Sequence, residues 1–264
     1  MMKQIFVTAI FATALLVTTA HAQTYQSLSS AEQAAYVKAK AERLGAAMAN
    51  HAVEFSPAYL ALVTARADAY AKRVGVKTQG IPGKEDLGLV LTRGASQAAS
   101  FAKIFQAHNL SPLIGIYLPM MESEFRNELV SDAGSAGMFQ FMPQTAVRFG
   151  LTAEERTDPA KSADAAARYL GDLQSKFAGN IWLSLLSYNI GERGVEKLLM
   201  LVPEARGAAC SICSFLDKKE TLGKSFPKEG ENYTPALLAA AIVGEHPKDF
   251  GLAGTPLSAA VNNK

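Results

Sequence analysis

A single glutamate, Glu122, closes an apolar run containing Leu113, Ile114, Ile116, Tyr117, Leu118 and Met121 and opens on a polar, glycine-bearing stretch. A carboxyl at such a junction lies partly out of water. Desolvation raises its pKa, and a carboxyl raised toward neutrality can donate a proton as a general acid. The stretch reads Pro119-Met-Met-Glu122-Ser123-Glu124-Phe125, then Gly134-Ser-Ala-Gly137-Met138-Phe139-Gln140-Phe-Met-Pro143. The chemistry it points to is cleavage of a bond between sugars. Retaining and inverting glycosidases usually work with two carboxyls. Here only Glu122 has the apolar approach; Glu124 is two residues away and on a helix would face elsewhere. One carboxyl suffices if the substrate supplies the nucleophile. Glu122 would protonate the glycosidic oxygen, then deprotonate a sugar hydroxyl that attacks the anomeric carbon internally.

Taken singly, each of these residues has an ordinary use. A glutamate near a helix end is usually a solvated or capping charge. Tyr188-Asn189 before Gly191 suits a helix C-terminus with a left-handed cap. Met138, Phe139, Phe141 and Met142 suit a core, Tyr233 suits packing, and Gly134 and Gly137 suit a tight loop.

The joint pattern resembles the lytic transglycosylases with a goose-lysozyme-like catalytic domain. Their E-S-x-F motif stands as Glu122-Ser123-Glu124-Phe125, and G-[LM]-x-Q-x-M-P-x-T-A stands as Gly137 to Ala146. The Y-N-x-G motif stands as Tyr188-Asn189-Ile190-Gly191. The last, usually E-T-x-x-Y-x-P, is Glu229-Gly230-Glu231-Asn232-Tyr233-Thr234-Pro235. The resemblance covers about residues 87–252. It implies Glu122 as acid/base, with Ser123, Met138, Gln140, Tyr188, Asn189 and Tyr233 lining a glycan cleft. It also implies cleavage of the MurNAc–GlcNAc β-1,4 bond of peptidoglycan, leaving 1,6-anhydro-muramyl ends, with no metal or other cofactor. Gly230 replaces the usual threonine, and the expectation is a looser loop presenting Tyr233. Arg126 and Leu129 stand where asparagine and alanine are common. Two competitors belong beside this reading: a goose-type hydrolase using Asp132 or Asp158 to activate water, and a weakly active wall-binding or assembly factor for an envelope machine.

The elements that must position these residues read as helices. Residues Ser30 to about Ala71 suggest two helices broken near Ser56-Pro57, followed by a glycine- and proline-bearing loop from Val74 to Asp86. Leu87 to His108 reads as one or two helices with a weak break at Gly94. Ser111-Pro112 starts the helix leading to Glu122, and Pro119 inside it should kink it, freeing a carbonyl one turn back. Pro143, Ser162 and Asn180 open further helices. Cys210 to Glu231 reads as irregular, Thr234-Pro235 as the start of a last helix, and residues after Gly251 as a tail. The predicted fold is all-α: a lysozyme-like catalytic domain over 87–252, an N-terminal helical segment over 23–86 and a C-terminal tail over 253–264. The N-terminal segment carries no motif. It could extend the cleft, bind a partner or cover apolar surface, and the last two are favoured equally.

Residues 1–22 read as a cleavable signal peptide: Lys3, an apolar stretch from Ile5 to Val17, and Ala20-His21-Ala22 as the cleavage site. That stretch is shorter than the roughly 20 residues of a spanning helix, and no cysteine follows the site to take a lipid anchor. The expectation is a periplasmic protein with no transmembrane segment in the mature chain. The net charge of +2 falls further when Lys3 is removed, so there is no basic stripe for nucleic acid. The two cysteines, Cys210 and Cys213, could close a small disulfide or remain free thiols; the four histidines are too scattered to complete a zinc site with them.

Overall fold

In a computed structural model of the chain, residues 23–261 are described; the expected signal peptide lies outside them. The architecture is all-helical, as expected. The helices are α1 Ser30–Ala49, α2 Pro57–Ala71, α3 Leu87–Ala95, α4 Ala98–Ala107, α5 Pro112–Ser123, α6 Pro143–Arg148, α7 Pro159–Lys176, α8 Ile181–Ile190, α9 Glu192–Leu201, α10 Ser211–Asp217, α11 Lys219–Leu222 and α12 Lys228–Glu245. Extended pairing among the described residues is limited to isolated bridges, Val130 with Ala136 and Ala136 with Phe141. No described helix is long and apolar enough to cross a membrane.

Local chemistry sets where the helices start. Ser29 and Glu32 form a reciprocal capping box at α1. Ser56 caps α2 ahead of Pro57, Asp86 caps α3, and Asn180 caps α8. The helix before Glu122 runs from Pro112 with Pro119 inside it. Its residues from Ile114 to Met120 are all buried, so packing on every side holds α5 despite the missing proline N–H. The hydroxyl of Ser123 donates to the carbonyls of Pro119 (3.1 Å) and Met138 (2.9 Å), tying the end of α5 to the loop that follows.

α12 packs against α1, α2, α5 and α8. The N-terminal segment is therefore part of the same body as the helices that follow it. Tyr59 on α2 donates to Thr234 on α12 (3.1 Å), Tyr25 donates to Asp68 (2.6 Å), and Tyr36 donates to Asp249 (2.8 Å).

Four local expectations are corrected. The last helix begins at Lys228 rather than after Pro235, because Pro227 takes the N-cap position and Glu229 and Glu231 populate an acidic first turn. Tyr233 is thus presented by a helix. Gly230 loosens no loop: it is buried within α12, and a Cβ there would lie 3.0 Å from Ile190 and 3.2 Å from Leu186. Residues Cys210 to Glu231 contain α10 and α11 in place of an irregular stretch. Residues Leu257–Val261 form a 3-10 turn packed on α3, α4 and α5, with Leu257 buried and the Ser258 hydroxyl donating to Glu245 (2.6 Å), so this part of the expected tail is docked. Cys210 and Cys213 are joined as a disulfide, one of the two states their spacing left open.

Candidate active site

Glu122 lies in the last turn of α5, where the helix ends in two consecutive left-handed residues, Glu124 (φ 53°) and Phe125 (φ 59°). Its carboxyl pKa is raised to about 7 by burial, opposed by a hydrogen bond from the Tyr233 hydroxyl to Oε1. Burial is the larger effect, so near neutral pH the group is poised between acid and base. Loss of water around the site also pushes the hydroxyls of Tyr188 and Tyr233 well above their ordinary range, and the negative charge of Glu122 pushes them further.

Glu122 opens on a cleft of about 600 Å³. Of the residues expected in a glycan site, Ser123, Asn189 and Tyr233 line this cleft with Glu122. Met138, Gln140 and Tyr188 stand behind the lining and build it. Met138 is buried and offers its carbonyl to Ser123. Gln140 holds the loop: its amide nitrogen donates to Leu129 (3.2 Å) and Gly137 (2.8 Å), while its oxygen accepts from Ser135 (2.6 Å). Tyr188 donates to the carbonyl of Phe139 (2.7 Å). Gly137, with φ +80°, sits where a Cβ would come within 1.9 Å of the Arg156 carbonyl oxygen, so only glycine fits at that motif position.

The opposite wall was missed from sequence. Arg66, Ala69 and Tyr70 of α2, with Arg73 just beyond it, line the cleft together with Pro82 and Gly83. Their spacing of three, four and seven residues puts them on one helical face, the signal that could have found them. Residues of the N-terminal segment therefore border the same cavity as Glu122. Lys228, Glu229 and Asn232 from the first turns of α12 also line it, as does Glu124. Arg73 Nη1 is 2.6 Å from Glu124 Oε1, so the second carboxylate of the motif is held in an ion pair. Asp132 is exposed and outside the lining, and Asp158 is occupied in capping α7, accepting from the backbone of Ala160 (3.0 Å) and Lys161 (2.9 Å). Among the described residues no cluster of three or more His, Cys, Asp or Glu could hold a metal ion.

Comparison with known proteins matches residues 100–207 to the family model described as "Transglycosylase SLT domain". "Membrane-bound lytic murein transglycosylase D" of Escherichia coli (strain K12) is 29% identical over 145 residues, 53% of this chain and 30% of that protein. "Membrane-bound lytic murein transglycosylase F" of Klebsiella pneumoniae subsp. pneumoniae is 33% identical over 92 residues, 33% of this chain and 18% of that protein. The chain thus spans under a third of the length of the curated relatives it matches. Among solved structures, an inactive mutant of the lytic transglycosylase Slt from Pseudomonas aeruginosa aligns with a TM-score of 0.44 and 20% identity, over 60% of this chain and 25% of that one. The chain carries a transglycosylase SLT domain and is related to the lytic transglycosylases.

Proposed function

We propose that the protein is a periplasmic peptidoglycan lytic transglycosylase that cuts the MurNAc–GlcNAc β-1,4 bond. The observation that carries this reading is one half-buried carboxyl, Glu122, which loss of water raises to about 7 and Tyr233 orients in the cleft, with its motif neighbour Glu124 tied to Arg73. Protonated Glu122 donates its proton to the glycosidic oxygen as the bond to the anomeric carbon breaks. The resulting carboxylate then takes the proton of the muramyl 6-hydroxyl, whose oxygen bonds to the anomeric carbon and closes the 1,6-anhydro ring. Glu122 ends protonated as it began, and no water is consumed. Ser123, Met138, Gln140, Tyr188, Asn189 and Tyr233 shape the glycan site, the first by fastening α5 to the loop and the last by holding the carboxyl.

The hydrolytic alternative needs a carboxylate beside a water. Neither Asp132 nor Asp158 lines the cleft, but Glu229 does, and it makes no ion pair among the described residues. Mass spectrometry of purified sacculi digested with the protein separates the two: anhydro-ended muropeptides support transglycosylation, and reducing-end products heavier by one water overturn it. A wall-binding or assembly role is favoured instead if the wild type releases no muropeptides and Glu122→Gln retains the cellular phenotype. Export by residues 1–22 is checked by N-terminal sequencing of periplasmic material, which should begin at Gln23.

A further inference from the structure

Glu122 is presented by backbone that ordinary side chains avoid. Glu124 and Phe125 both lie in the left-handed region, and such positions persist only where the surroundings over-determine them. The surroundings here are a network of five charged residues, three of them N-terminal to the matched SLT segment. Glu85 is buried, and its Oε2 accepts from Arg93 Nη2 (2.5 Å) and Arg126 Nη2 (2.7 Å), while Oε1 accepts from the Gly80 amide (3.2 Å). Arg93 also donates through Nε to the carbonyl of Glu124 (3.1 Å). Arg73 donates through Nε to the carbonyl of Glu85 (2.8 Å) and pairs through Nη1 with the Glu124 carboxylate. Both the backbone and the side chain of Glu124 are therefore held by arginines that Glu85 joins. Phe125 is seated in a notch that exists because residue 94 is glycine: a Cβ there would fall 2.4 Å from its ring.

We infer that Glu85, Arg73 and Arg93 are positioning residues: they clamp the left-handed turn at Glu124–Phe125 and so fix the depth and direction of Glu122 in the cleft. The inference rests on Glu122 being the acid/base of the proposed reaction. The clamp acts through solvent exclusion and geometry, because burial raises the Glu122 carboxyl and no clamp charge contributes to that shift. Glu85 is suited to the task. Its carboxyl is held down to about 2, first by the Arg93 hydrogen bond, so it stays ionised across the working pH range.

The test uses the full mature chain. Glu85→Gln keeps the size of the side chain and removes the charge. Arg93→Lys keeps the charge but cannot reach both Glu85 and the Glu124 carbonyl as the forked guanidinium does. Two readouts are taken: the Glu122 pKa by 13C-carboxyl NMR, and the kinetics of glycan-strand cleavage against pH. The expected result for both variants is a Glu122 pKa moved from about 7 toward the ordinary carboxylate range. With it goes a kcat lower by roughly 10- to 100-fold at nearly unchanged KM, the size expected when a reacting group is displaced by about 1 Å. If Glu85→Gln does not fold, Arg93→Lys decides alone. A folded variant with the wild-type Glu122 pKa and pH profile overturns the clamp. If the wild type cleaves no glycan, the proposed reaction fails, while the NMR titration still decides whether the clamp sets the state of Glu122.

Discussion

The hydroxyl of Tyr233 on α12 hydrogen-bonds Oε1 of Glu122 on α5, joining residues 111 apart in sequence. This bond works against burial: it favours the charged carboxylate, while exclusion of water favours the neutral acid. Tyr233→Phe should therefore raise the Glu122 pKa further above 7 and move the alkaline limb of the pH–rate profile to higher pH. Loss of orientation should lower kcat by about 10-fold. Steady-state cleavage of soluble glycan strands between pH 5 and 9 measures both effects, and an unmoved alkaline limb would refute the role given to Tyr233.

Removing the acid itself should cost more. Glu122→Gln is expected to lower the rate by at least about 100-fold, the range of a lost general acid. The same substitution should change stability with a definite sign. A carboxyl raised from 4.5 to about 7 in the fold costs nothing below pH 4.5, where both folded and unfolded states are protonated. The cost grows as pH rises to 7 and then stays constant, at up to about 3 kcal/mol. Glu122→Gln should therefore melt like the wild type near pH 4 and above it at pH 8. Equal melting temperatures at both pH values would contradict the raised pKa.

Two glycines of one loop should respond unequally to alanine. Gly134 (φ +86°) has open space around its missing Cβ, so Gly134→Ala should cost only the left-handed backbone penalty of about 1 kcal/mol. Gly137→Ala adds a collision with the Arg156 carbonyl, part of the backbone, and should cost at least about 3 kcal/mol and most of the activity. Denaturant titration of the two variants gives the comparison.

The Cys210–Cys213 bridge closes a very short loop, so its restriction of the unfolded chain is small. By loop length it should contribute about 2 kcal/mol. The double Cys→Ser variant at these positions should melt a few degrees lower and cleave glycan at the wild-type rate, since neither cysteine lines the cleft. A large loss of activity without unfolding would show that the bridge acts on the site.

What was legible in the sequence was local. Glu122 could be found because the apolar residues that bury it immediately precede it. Ser123, Asn189 and Tyr233 came from motif spacing, and the helix starts at Pro112, Pro143 and Asn180 from proline and capping signals, whereas Ser162, read as a helix start, lies inside α7, which Asp158 caps. Errors arose where a local signal competed with tertiary packing. Thr234-Pro235 has the form of a helix start, but the helix had already begun at Lys228, and burial of α12 from Thr234 to Gly244 outweighs the proline's missing hydrogen bond. Gln140 and Tyr188 were read as cleft lining because their motifs are, yet their polar atoms serve the loop. For the wall from Arg66 to Arg73 the spacing gives a common helical face but not what that face meets. Its partner Glu124 is 51 positions away, and no spacing rule connects two charges across that distance.

The segment that matches a known domain runs from residue 100 to 207, yet the tyrosine that holds Glu122 and the glutamate at the centre of its arginine network both lie outside it. A graft of that segment into another scaffold would carry the nucleus of the motif and leave behind the α2 and α12 residues that line the cleft around Glu122 and help to keep water from its carboxyl. Such a chimera should display a glutamate that titrates like any solvated one. In this protein, the reactive unit is wider than the recognisable one.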